Sequence, residues 1–388
     1  MRTLLSCNGY RIPKSDIDDA NMEQIDKDLT VSPYDFGYSE KEIEPFKVYS
    51  ESDTHIYLPR FYGVSKYGQP KKIVHNGIGS NFLFTGSMRE YQKPVVSKCI
   101  DHLKTYGGGI LSVPCGYGKT TIALKIASDL KCATLVIVHK TFLLNQWIER
   151  IKQFTNASYG IIRQSTVDIE DKDIVIAMIH SISKRDYESD VFSRFDLTIY
   201  DECHHTASRM FSRTLAKTST KYVVGLSATL QRTDGLTKVI HWYVGDMMFH
   251  IKLKTNNQVI AKIMTFSSSN ETFINRTRFI KGMERSDYTK MLKYLVELKE
   301  RNVHILNIIN HLRKNCDRKI LVLSSRKKQL KFFKTELDEI IKKENLCNPP
   351  NCNPPNCNPP NCNPPNCNPP NCNPPNCNPP NCNPPNCN

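Results

Sequence analysis

No uninterrupted apolar stretch in this 388-residue sequence approaches the roughly 18 residues that would suggest a membrane span. The amino terminus, MRTLLSCNGYRIPK, has no long apolar core of the signal-peptide kind. Of fifteen cysteines, six are scattered (Cys7, Cys99, Cys115, Cys132, Cys203 and Cys316), and no two of these form a CxxC pair. That argues against a disulfide framework or a zinc ribbon. Acidic residues are the scarcer charge, 38 against 53 Lys plus Arg, for a formal net charge of +15. A surplus of this size suggests a polyanionic partner such as nucleic acid, and with no apolar span no membrane partner is expected. Together these features predict a soluble, intracellular protein of a reducing compartment.

The remaining nine cysteines lie in Cys347 to Asn388, where CNPP units recur every five residues without charge. Paired prolines fix φ and remove amide donors, so a disordered, extended or turn-rich tail is expected. The first 346 residues hold every charged side chain and suffice for one large and one small domain.

Within that part, the stretch LSVPCGYGKTT (Leu111 to Thr121) reads as a phosphate-cradling loop. Gly116 and Gly118 permit a tight turn whose N–H groups face phosphate oxygens, Lys119 reaches the terminal phosphates, and Thr120 offers a hydroxyl to magnesium. Val113 stands where the generic pattern has glycine. The context is favourable: Gly109 to Val113 suits a buried strand, and Ile122, Ala123, Ile126, Ala127 and Leu130 recur at helical spacing. Upstream, MREYQ carries Gln92, whose planar amide can pair with both a donor and an acceptor edge of adenine.

Strands and helices then alternate: TLVIV, a helix around Phe142 to Phe154, YGIIR, DIVIAMI, DLTIYDE, a helix near 207–217 and YVVGLSAT. Near-continuous apolar strands require a parallel sheet covered on both faces, with ligands at the carboxyl ends. There the tetrad Asp201, Glu202, Cys203, His204 supplies a carboxylate pair. Asp201 can hold Mg²⁺, and Glu202 can orient and deprotonate a water attacking the γ-phosphate. Consecutive residues such as Cys203, His204 and His205 diverge too much to close a zinc tetrahedron easily.

Flanking regions say less. Residues 1 to about 50 show weak periodicity, and the aromatic and basic mixture from His55 to Val74 fits either base stacking or a small β-rich accessory domain. Two helical patterns follow Thr272, then KILVLS (Lys319 to Ser324) as a buried strand and a Lys-rich helix over 327–343.

With the loop, DECH and SAT in this order, the chain resembles the superfamily 2 helicases of the DExH type over roughly residues 80 to 340. It is most similar to the branch containing UvsW, the XPB translocases and helicases of large nucleocytoplasmic DNA viruses. The carriers are PCGYGKT, MREYQ, IVHKTFLLNQW, DECHH and LSATLQRTDG. Arg232 and Asp234 match the spacing of an XPB-type RED element, although Thr233 replaces its middle acid.

The resemblance implies a RecA-like, doubly wound α/β fold with ATP and Mg²⁺ as cofactors and DNA or RNA as partner. Its domains would be an accessory region at 1–80, an ATP-binding domain at 81–250, a linker with helices at 251–315, the start of a second RecA-like domain at 316–346, and the repeat tail at 347–388. It implies that Arg89 and Gln92 contact adenine, and that Pro114, Cys115, Gly116, Tyr117, Gly118, Lys119, Thr120 and Thr121 hold phosphate. Asp201 and Thr120 would bind the metal, and Asp201, Glu202 and Lys119 would carry catalysis. His204, Ser227, Ala228 and Thr229 would couple nucleotide state to domain movement. Nucleic acid would meet Lys140, Gln146, Ser181 and Arg326, within segments that also hold His139, Trp147, Ser183 and Ser324.

Helicases of this kind also use a late QxxGRxxR motif, which this sequence does not contain. The expectation is therefore a truncated or frameshifted helicase, serving viral transcription or replication in the host cytoplasm or virion. The alternatives are a non-catalytic nucleic-acid-binding fragment or a P-loop ATPase acting on protein.

Overall fold

The structure, a computed structural model, describes all residues except Met1, 35–43, His75, Ser189, 230–232, 252–260, 271–272, 281, 318 and 348–388. Arg232 of the expected RED element and nearly all of the repeat tail lie outside the described residues. The chain divides into two compact units, Met1–Ile260 and Ala261–Asn388.

The first unit opens with β1 (Leu4–Ser6), β2 (Gly9–Pro13), α1 (Asp19–Leu29), β3 (Ser50–Glu51), β4 (His55–Leu58), α2 (Arg60–Tyr67) and β5 (Lys72–Ile73). These strands form one sheet in the order β3-β4-β2-β1-β5. Tyr10, Ile12, Ile25, Leu29, Ile56 and Tyr62 are buried beneath it. Of the aromatics after His55, Tyr62 belongs to this core and Tyr67 packs against it, while Tyr57 and Phe61 are half-buried. Its strands span only two to five residues, too short for their alternation to stand out in sequence.

The main layer comprises α3 (Lys93–Tyr106), β6 (Gly108–Ser112), α4 (Lys119–Leu130), β7 (Thr134–Val138), α5 (Thr141–Phe154), β8 (Tyr159–Arg163), β9 (Thr166–Val167), β10 (Ile174–Met178), α6 (Ile179–Lys184), β11 (Leu197–Asp201), α7 (Ser212–Lys217), β12 (Tyr222–Ser227), α8 (Thr237–Val244) and β13 (Met247–His250). Eight strands run in the order β9-β8-β10-β7-β11-β12-β6-β13, parallel except for the β8–β9 edge. Every residue of β6, β7 and β10 is buried. Alternate positions serve opposite faces, as the pleat requires. Val136 and Val138 join the core beneath α3, α4 and α5, whereas Leu135 and Ile137 join the other core. The sheet is the doubly wound RecA-like architecture.

The two layers are fastened by Arg60. It is 9% exposed, and its Nη1 donates to the carbonyls of Gly107 (3.1 Å), Thr220 (3.1 Å) and Lys221 (2.9 Å). Burial depresses its pKa to about 10.

The second unit contains a hairpin, β14 (Thr277–Ile280) with β15 (Met283–Ser286), followed by α9 (Tyr288–Glu297), α10 (Lys299–Asn315) and α11 (Lys327–Cys347). Leu306, Ile309 and Phe333 make a small core. The run Lys319 to Ser324 forms no strand, and Leu321 and Leu323 are each 81% exposed. Among the described residues of this unit, β14 and β15 pair only with each other. A lone apolar run without a ladder partner leaves its main-chain groups to water. The expected first strand of a second RecA-like sheet is therefore corrected at this segment.

Replacing Arg60 with leucine removes its bonds to three carbonyls, of which that of Gly107 keeps the Val223 N–H at 3.0 Å. The variant should lose about 3 kcal/mol of unfolding free energy in urea titrations, with Arg60→Lys recovering part of it. An unchanged midpoint in Arg60→Leu would show that the guanidinium does not hold the layers together.

Candidate active site

The loop after β6 ends on Gly118, which caps α4. Gly116 and Gly118 stand at φ +81° and +94°, left-handed conformations that glycine adopts without a Cβ clash. Lys119 opens α4 and places its Nζ 3.0 Å from Oε1 of Glu202, with side-chain exposures of 12% and 25%. Glu202 itself has φ +51° and ψ +55°. A non-glycine residue held there carries roughly 1–3 kcal/mol of strain and persists only where its surroundings over-determine it.

Asp201 closes β11, and its Oδ2 accepts the Trp147 indole N–H at 2.9 Å. Burial pushes its carboxyl pKa up; the Trp147 bond opposes this, and neighbouring Glu202 adds to it. A cation beside Asp201 would offset that penalty. Thr120 and Asp201 border one cavity and are hard oxygen donors, as magnesium requires. Among the described residues no group of three His, Cys, Asp or Glu side chains could hold a metal alone. An ion here would complete its shell with ligand and water oxygens. The Cys203 side chain is wholly buried.

His204 joins the carboxylates to the end of β12. Its Nδ1 lies 3.0 Å from Ser227 Oγ and 3.4 Å from Glu202 Oε2. Ser227 Oγ in turn donates to the Thr229 carbonyl at 2.6 Å and accepts its N–H at 3.2 Å, closing a turn around Ala228.

On the other flank, Gln92 is 3% exposed and both ends of its amide are engaged. Oε1 accepts the Arg89 main-chain N–H at 3.0 Å, and Nε2 donates to the Tyr117 carbonyl at 2.8 Å. A Cβ on Gly118 would fall 2.3 Å from that Nε2, so Gly118 also makes room for the clamp. The rings of Tyr91 and Tyr117 approach to 4.6 Å, and the Tyr117 main chain is tied to Pro114.

Arg89, Gln92, Cys115, Gly116, Gly118, Lys119, Thr120, Thr121, Asp201 and Glu202 border a single cavity of about 580 Å³. Sequence reasoning missed its other wall, formed by Ser87 and by the α5 residues Leu143, Gln146, Arg150 and Phe154. Their helical spacing was a readable signal, since residues three and four apart share one face.

Gln146 is exposed and borders this cavity. Trp147 is 1% exposed and belongs to the core. Ser181 and Ser183 are buried: Ser181 Oγ accepts the Gln164 N–H at 2.8 Å, and Ser183 Oγ donates to the His180 carbonyl at 3.3 Å. Both serines lie within α6, with their side chains buried. Lys140 is exposed at the start of α5, and Arg326 is exposed in the second unit, where its N–H donates to Ser324 Oγ at 3.1 Å.

Residues 85–232 match the family described as "Type III restriction enzyme, res subunit". A protein of Acanthamoeba polyphaga mimivirus that carries the name of an ATP-dependent RNA helicase is 37% identical over 338 residues, covering 85% of this chain and 64% of that protein. A DNA 3'-5' translocase XPB2 of Sulfurisphaera tokodaii is 29% identical over 222 residues, covering 57% of this chain and 47% of that one. Among solved structures, the UvsW helicase from bacteriophage T4 aligns with a TM-score of 0.41 and 19% identity, covering 64% of this chain and 99% of that chain. The chain is thus similar in sequence to proteins that carry helicase names in large DNA viruses. It spans less than two thirds of the length of the curated relatives it matches here.

Next to the DECHH segment, the rings of His139 and His205 lie 4.2 Å apart, and His139 Nδ1 is buried without a hydrogen-bond partner among the described residues. Burial, reinforced by His205 and Lys140, lowers the His139 pKa to about 4 from its usual 6.5. Between these values the unfolded chain binds the proton and the folded one does not, so stability falls as pH drops from 6.5 to 4. His139→Asn should flatten that part of a melting temperature against pH curve. Curves of equal slope for the two proteins would show that His139 does not contribute.

Proposed function

We propose that the chain binds ATP with magnesium in the Lys119 cavity and couples its hydrolysis to movement on, or unwinding of, DNA or RNA. The observation that carries the reading is the gathering of a glycine-turned loop, a lysine, a hydroxyl and a carboxylate pair on one cavity. Arg89 and Gln92 would flank the adenine, Gln92 with its remaining N–H and lone pair. The main chain from Gly116 to Thr120 and the Lys119 ammonium would hold the phosphates. Magnesium, held through Thr120 and Asp201, would neutralise charge at the β and γ oxygens.

Glu202 would accept the proton of the attacking water. His204, which touches both Glu202 and Ser227, would relay the state of the site to the Ser227–Thr229 turn. The exposed cations Lys140 and Arg326 would contact nucleic-acid phosphates, in keeping with the +15 charge. The viral relatives favour a role in viral transcription or replication within an infected cell.

Turnover measured with and without single- and double-stranded nucleic acid tests this reading. Lys119→Ala and Glu202→Gln should each reduce stimulated ATP hydrolysis by about two orders of magnitude or more. Stimulated turnover that survives both substitutions would remove the active-site assignment. Nucleotide binding without any turnover would favour a non-catalytic nucleic-acid-binding protein.

A further inference from the structure

The face of α5 that borders the cavity carries a cation that the phosphate-loop and DExH motifs do not include. Leu143, Gln146, Arg150 and Phe154 follow one another at three- and four-residue intervals along that wall. The helix is pinned at both ends of this face. The Trp147 indole donates to Asp201 at 2.9 Å. The Phe154 carbonyl accepts the N–H groups of Thr85 (2.8 Å) and Gly86 (3.2 Å), and its ring stacks on Phe84 at 6.1 Å. Arg150 lies about one turn from each anchor. Its guanidinium is therefore carried on a fixed stem between the carboxylate end of the cavity and the segment leading to Arg89 and Gln92.

The charges in the cavity are unevenly paired. Lys119 is matched by Glu202, and Asp201 accepts from Trp147. Arg150 meets the Gln153 side-chain carbonyl and the face of Phe154, centroid distance 5.9 Å, and neither is anionic. Among the described residues it forms no ion pair. A half-buried guanidinium on a rigid helix, lining a cavity with a phosphate-type loop, is suited to bidentate recognition of phosphate oxygens.

We infer that Arg150 is a nucleotide-phosphate-binding residue, supplied from α5 within the same unit as the loop. The inference rests on the proposal that this cavity binds ATP. It assigns Arg150 to ground-state binding of the phosphate chain, with no part in proton transfer. It also gives α5 a sensing role, because the helix that holds Asp201 through Trp147 would be drawn upon by the same ligand.

The test measures the affinities of wild type, Arg150→Gln, Arg150→Lys and Lys119→Ala for ATP, ADP, AMP and adenosine, by competition against a fluorescent ATP analogue in magnesium buffer. Arg150→Gln should weaken ATP binding about tenfold, as expected for loss of a charged hydrogen bond, leave adenosine unchanged, and melt like wild type. Arg150→Lys should recover part of the loss. Wild-type ATP affinity in Arg150→Gln, or an equal loss for adenosine, overturns the inference while leaving the ATP site standing if Lys119→Ala still abolishes binding. Failure of the wild-type protein to bind ATP would remove the site and the inference together.

Discussion

The site depends on the register of the parallel strands β6, β12, β11 and β7. Ser112 pairs with Ser227, Leu226 with Asp201, and Tyr200 with Ile137, so the carboxyl ends of four strands finish at nearly one level. Loops leaving them have no choice but to meet along one sheet edge. A slip of one residue would reverse every side chain of a strand, exchanging its two buried faces. Because β6, β7 and β10 are buried throughout and alternate between two cores, that slip would be heavily penalised. The cavity is thus held by hydrophobic packing far more than by its own polar contacts.

That support lets the edge carry unfavourable features. Asp201 is half-buried with a raised pKa, Glu202 sits in a left-handed conformation, and His139 is half-buried with a depressed pKa. All three lie at the carboxyl ends of β11 and β7 or directly after them. Hydrogen bonds restrain the first two, Trp147 to Asp201 and Lys119 to Glu202, and both come from helices anchored in one core. Strain of this kind is stored where a rigid frame surrounds a site.

The sheet was legible because a strand buried on both faces must read as an unbroken apolar run, and TLVIV, LTIY and IVIAM do. The phosphate loop and carboxylate pair were legible because their chemistry is local in sequence. Arg150 was not, since its relevance comes from which face of α5 turns toward the loop. That Gln146 borders the cavity was hidden for the same reason, and the burial of Ser181 was hidden because a hydroxyl that accepts the Gln164 N–H looks in sequence like an available one. Lys319 to Ser324 has the composition of a buried strand, but pairing is a property of neighbours and not of the run itself. The accessory sheet was legible only as one of two readings of the stretch from His55, because its two- to five-residue strands give periodicity too little length to show.

The contact between Lys119 and Glu202 has a consequence for timing. The ammonium and the carboxylate, 3.0 Å apart, neutralise each other. Under the proposed function an incoming triphosphate would compete for the lysine and, in drawing it away, would free the glutamate. A base arranged in this way would be armed by the arrival of the nucleotide.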